Sequence, residues 1–138
     1  MGMYTELVLK CQIKDDLPAD VRAVLKYLFK EGGKPEVLQL PDHKFFKLSR
    51  WDFIGQGSSF YHHPKAMSDY WTGHGDDDNR GGYIFSRSDL KNYDGEIGHF
   101  IDWLMPYIDE DEGQCIGWEW YEEDEQPTLL FKTHKEAA

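Results

Sequence analysis

Ten residues, GHGDDDNRGG from Gly73 to Gly82, hold a histidine, three aspartates, an asparagine and four glycines. A calcium loop needs oxygen ligands at alternate positions, glycine sixth and a bidentate glutamate twelfth. Counted from Asp76, Gly81 is sixth, but Arg80 takes a ligand place and Arg87 the twelfth. Counted from Asp77, Gly81 falls on a ligand place and Ser88 on the last. Both registers fail. A phosphate loop would offer lysine or bare amides at the start of a helix, and here three carboxylates would repel the anion. The stretch therefore reads as a solvated loop, with a metal-dependent enzyme built on it as the alternative.

The other chemistry-bearing residues meet similar objections. His62, His63 and His74 could contribute to a transition-metal site, but neighbouring residues on a strand point to opposite faces. Neither H-x-x-x-H nor C-x-x-C accompanies them, so no metal and no cofactor are expected. Ser58-Ser59 follow Gly55-Gln56-Gly57 into a strand-like run, whereas a nucleophile elbow is G-x-S-x-G entering a helix. Asp94, Glu96 and Asp102 could form a carboxylate pair with His99 as base, but helical geometry keeps Asp102 off the core face and Asp94 at the cap, so structure accounts for them. His99, Trp103 and Tyr107 recur every four residues and read as the flank of a core. A strip for docking a partner is the sharper version.

Two acidic runs remain: Asp109, Glu110, Asp111 and Glu112, then Glu122, Glu123, Asp124 and Glu125. The first follows a helix C-terminus, where negative charge opposes the macrodipole at a small cost. Solubility alone would explain both runs. A surface for a basic partner would explain them too, with Trp118, Trp120 and Tyr121 as apolar anchors. Of the 26 acids and 15 bases, residues 1–94 carry 14 acids and 13 bases, and residues 95–138 carry 12 and 2. Ten of the eleven excess negative charges thus fall in the last third. Such a field repels nucleic acid and anionic membranes and attracts a basic or nucleic-acid-binding protein. Direct binding of nucleic acid is not expected.

These residues must be held by a fold. At 138 residues the length fits one domain, expected over residues 3–133 with 134–138 as a frayed tail. Aromatics at 15% argue against a disordered chain. No apolar run approaches the roughly 20 residues of a membrane span. The start lacks the pattern of a signal peptide, and Met1-Gly2 looks like a cloning remnant before Met3. Cys11 and Cys115 sit in strand-like runs and are expected to be free thiols in a reducing cytoplasm.

Alternation from Tyr4 to Ile13 predicts a strand with Leu7, Leu9, Cys11 and Ile13 inward. Val21, Val24, Leu25, Leu28 and Phe29 predict an amphipathic helix, opened at Pro18 and stopped by Gly32-Gly33. Val37 to Leu48 is ambiguous. Arg50–Ile54 and Ser58–His62 read as short strands, and residues 63–81 as a long loop. Gly82–Ser86 is a strand. Asp94 is the expected N-cap of a helix carrying Ile97, Phe100, Ile101, Leu104 and Ile108, whose last turn Pro106 disturbs. Cys115–Tyr121 and Thr128–Lys132 form a hairpin around Glu122–Pro127. The expected fold is α+β, a mostly antiparallel sheet with two helices on one face.

The runs LPDHKFFKLSRWDFIGQGSSFY and GYIFSRSDLKNYDGEIGHFIDWLMPYI resemble small acidic proteins of tailed bacteriophages that open on a similar M-Y-T-E-L strand. That group has no settled activity, so the resemblance supplies no site residues. It implies a phage accessory protein acting in the bacterial cytoplasm, and such proteins are often host-directed inhibitors. The expectation is therefore a non-enzymatic protein whose acidic surface binds a host or phage protein, in one version as a nucleic-acid mimic. A homo-oligomeric phage assembly component is the third possibility.

Overall fold

The computed structural model describes residues 3–30, 35–59, 65–71 and 82–133. Five strands form one antiparallel sheet: β1 (Thr5–Ile13), β2 (Met67–Trp71), β3 (Gly82–Leu90), β4 (Cys115–Tyr121) and β5 (Thr128–Phe131). Helix α1 (Ala19–Phe29) follows β1, and α2 (Glu96–Leu104) follows β3. The spatial order β2-β3-β1-β4-β5 inserts β3 between β1 and β2. That is the ferredoxin-like, split β-α-β arrangement, extended by one edge strand. The α+β class expected from the sequence is what forms.

β1 is central because its alternation serves both faces. Leu7, Leu9, Cys11 and Ile13 enter the main core with Val21, Val24, Leu25, Leu28 and Phe29 of α1 and Ile97, Phe100, Trp103 and Leu104 of α2. The odd-numbered side of β1 thus shares one core with residues of both helices. Val8 is only 6% exposed yet lies outside that cluster, on the opposite side.

The ambiguous run after Val37 becomes a single 3-10 turn, Lys44–Lys47, which feeds Phe45 and Phe46 into the core. Phe46 meets Trp103 at 4.9 Å and Trp51 at 5.2 Å, and Phe45 meets Phe100 at 5.3 Å. His43 Nε2 lies 3.0 Å from Asp102 Oδ2 and pins this segment to α2. Trp103 is therefore core, with His99 and Tyr107 half-buried beside it.

Several expectations need correction. Arg50–Ile54 is not a strand, because Trp51–Phe53 is a 3-10 turn that buries Trp51 and Ile54, three apart. Ser58 and Ser59 belong to no named strand, and residues 60–62 lie outside the described residues. Within the expected 63–81 loop, Met67–Trp71 is β2. The Gly32-Gly33 stop, His62, His63, His74, Met1-Gly2, the 134–138 tail and Gly73–Gly81 of the opening stretch lie outside the described residues. β3 runs to Leu90, beyond the expected Ser86.

Asp94 is not the cap of α2. Gly95, at φ 74°, takes that place, and the Ile97 amide donates to Asn92 Oδ1 at 2.9 Å. Glu96 Oε1 accepts from the Asp94 amide at 2.8 Å. The α2 helix closes at Leu104, and Met105–Tyr107 continues as a 3-10 turn, since Pro106 has no amide hydrogen to donate.

Candidate functional site

Side chains directly opposite on paired strands share a face, and the register defines the face turned away from the main core. One row runs across all five strands: Met67, Arg87, Val8, Trp118, Leu129. Below it lie Asp69, Phe85 and Lys10, then Trp71, Tyr83 and Gln12. Trp120 stands opposite Glu6. Large apolar side chains are open on this face: Trp71 is 62% exposed, Met67 57%, Phe85 55% and Leu129 51%. Trp118 and Trp120 are half-buried, and the Trp120 Nε1 donates to the Asp124 backbone oxygen at 2.9 Å.

Charge on the face is partly paired. Arg87 Nε donates to Glu6 Oε2 at 2.7 Å, and its Nη2 reaches both Asp89 oxygens at 2.9 Å. Asp89 Oδ2 also accepts from the Ser59 amide at 3.1 Å. Without Arg87, the cross-strand carboxylates of Glu6 and Asp89 would repel each other.

The two acidic runs do not form one surface. Glu110 Oε2 accepts from the Gln12 amide at 2.8 Å, and the Asp109 amide donates to the Gln12 carbonyl. At the other end of β1, Glu122 accepts from the Tyr4 amide and returns its own amide to the Tyr4 carbonyl. Tyr4 and Gln12 are eight residues apart, so the runs are poles about 27 Å from each other. Glu110 and Glu122 tie down backbone, while Asp109, Asp111, Glu112, Glu123, Asp124 and Glu125 are exposed.

Three clefts adjoin this frame. At the Glu110 pole, one of about 530 Å³ is bounded by Gln12, Asp15, Trp71, Tyr83 and Asp109. Burial, followed by Cys11 and Glu110, holds the Tyr83 hydroxyl above its usual range. At the Glu122 pole, a cleft of about 400 Å³ includes Thr5, Lys91, Glu119, Tyr121 and Asp124. Desolvation and then Asp124 raise the Glu119 carboxyl above the ordinary 4.5. The third, about 360 Å³, lies by Tyr4, Arg50, Phe53 and Lys91.

No protein-family model matches the chain, and neither a curated protein nor a solved structure matches it. The site therefore stands on its own geometry. Among the described residues, no three His, Cys, Asp or Glu side chains group as metal ligands, and no helix is long and apolar enough to cross a membrane.

Of the residues expected to bind a partner, Trp118 and Trp120 share the open face, and the acids flank it at its two ends. The sequence reading missed Met67, Trp71, Phe85 and Leu129. Along Met67–Trp71 exposure alternates but residue type does not, since Ser68 and Asp69 are adjacent polar residues and the adjacent rings of Tyr70 and Trp71 sit on opposite faces. Tyr83 and Phe85 lay in a recognised strand, and only the register shows which face they take.

Proposed function

We propose that the protein is a non-enzymatic binding module that engages a basic protein through the open face of its sheet. The supporting observation is the exposed apolar row and its neighbours, Met67, Trp71, Phe85 and Leu129, beside the half-buried Trp118 and Trp120. Exposed apolar patches of this kind mark interaction surfaces, and aromatic anchors carry much of an interface's energy. The acidic poles at both ends of β1 provide steering toward a positively charged partner. The cleft of Trp71, Tyr83, Asp15 and Asp109 has ring faces and carboxylates suited to a lysine or arginine side chain.

Aromatic rings on an open sheet are also how some RNA-binding domains stack bases. That reading needs a cationic surface along the strand. The described face offers Lys10 and Arg87 against Glu6, Asp69 and Asp89, and Arg87 is held by Glu6 and Asp89. A protein partner fits better. The phage resemblance, a likeness of sequence pattern, suggests that the partner is a protein of the bacterial host or the phage, and that binding inhibits it.

A tagged pull-down from bacterial lysate, at low and high salt, tests the proposal. Three baits are compared: the parent, Trp71→Ser/Phe85→Ser, and Asp111→Asn/Glu123→Gln/Glu125→Gln, which spares the tethers Glu110 and Glu122. A stoichiometric partner is expected with the parent, weakened by salt because exposed charges are screened beyond about 8 Å. It should be lost with the ring variant and diminished with the charge variant. Retention by both folded variants would refute the proposal. Mass in solution checks whether the partner is instead a second copy.

A further inference from the structure

The cleft beside Arg50 and Lys91 runs against the electrostatic character of the chain. With 26 acids against 15 bases, a cation has every statistical chance of meeting a carboxylate. Arg50 instead lies over the Tyr93 ring at 5.3 Å, and Lys91 Nζ is 5.9 Å from both the Tyr93 and Tyr4 rings. Two cations on one ring are at most about 11 Å apart, and an anion between them would be attracted by both. Arg50 Nη1 is buried and has no hydrogen-bond partner among the described residues. A buried guanidinium nitrogen left unsatisfied is costly, and a ligand oxygen would satisfy it.

The cleft, about 360 Å³, is completed by Phe53, Gly57, Ser58 and Asp89. Asp89 is a carboxylate in the lining, but its oxygens accept from Arg87 Nη2 and the Ser59 amide, so its charge is partly countered by the guanidinium it shares with Glu6. Ser58 is exposed at the edge with a hydroxyl donor, and Phe53 and Tyr4 offer ring surfaces. Two positive charges match the charge of about −2 on a phosphate monoester, and the rings suit a flat apolar body. The volume falls within the range of small-molecule sites.

We infer that the Arg50–Lys91 cleft binds a nucleoside monophosphate, a phosphate monoester joined through a sugar to a flat aromatic base. Arg50 and Lys91 hold the phosphate, Ser58 donates to it, and Tyr4 or Phe53 stacks on the ring. This cleft borders the open sheet face at Asp89, but the face residues Met67, Trp71, Phe85 and Leu129 do not line it.

Calorimetric titration of the full chain at low salt with AMP, adenosine and inorganic phosphate tests the assignment. AMP should bind saturably and more tightly than either fragment. Lys91→Gln should weaken AMP by roughly tenfold or more, the usual worth of a hydrogen bond to a charged group. Arg50→Gln should do the same, and Lys91→Gln keeps the test decisive if that variant folds poorly. Absence of AMP binding to the parent, or equal affinity in Lys91→Gln, would overturn the site. Phosphate binding as tightly as AMP would overturn the aromatic part of the assignment. Neither substitution should alter partner capture by the sheet face, so the two proposals fail independently.

Discussion

Glu119 and Glu122 differ in what they do although both belong to the acidic last third. Glu122 fastens the start of β1 through the Tyr4 backbone. Glu119 stands opposite Leu7 on the core-facing side, where burial and Asp124 raise its carboxyl above 4.5. A carboxyl with a raised folded value favours the fold below its unfolded value, and that contribution is lost as pH rises through the folded value. Glu119→Gln should therefore raise the melting temperature at pH 7, and the gain should shrink as pH falls through the raised folded value and be gone below about 4.5. Thermal melts across that range check it, and a gain that does not change with pH would contradict the assignment. The sequence shows a run of like charges. Which acids are solvated and which are tethers depends on contacts with Tyr4 and Gln12, more than a hundred and about a hundred residues away in the chain.

Elements were legible where one period ran long enough. β1, α1 and the body of α2 follow from their apolar spacing, and the β4–β5 hairpin follows from its polar turn. β2 was hidden because its inward residues are Ser68 and Tyr70: Ser68 is satisfied by Gly55 and Ser86 at 2.7 Å each, instead of packing as an apolar side chain. The cap of α2 was misplaced because Asn92 reaches five residues ahead across Gly95. β4 carries a bulge between Cys115 and Gly117, and Gly117 adopts φ 147° with an added Cβ only 2.0 Å from the Val8 carbonyl oxygen. Close approach of β1 and β4 thus requires glycine there. Gly117→Ala should cost about 3 kcal/mol through overpacking and backbone strain, read from urea unfolding. A loss below about 1 kcal/mol would show that β4 can move away from β1.

At the scale of the molecule, one sheet separates two surfaces. Its inner side builds the core with both helices, and its outer side presents rings between two acidic ends. The charge asymmetry and the α+β class were readable, since composition and period carry them, and Trp118 and Trp120 lie half-buried on the outer face. The open face was not, because it exists only in the register that aligns Met67, Arg87, Val8, Trp118 and Leu129 from five separate strands. Covalent carbene labelling of the protein, free and bound to its captured partner, tests that face most directly when read residue by residue by mass spectrometry. Trp71, Phe85, Trp118 and Leu129 should lose label in the complex, while Val37, 85% exposed and remote in sequence from every strand, should keep it. Equal labelling of the four face residues in the free and bound protein would contradict the account.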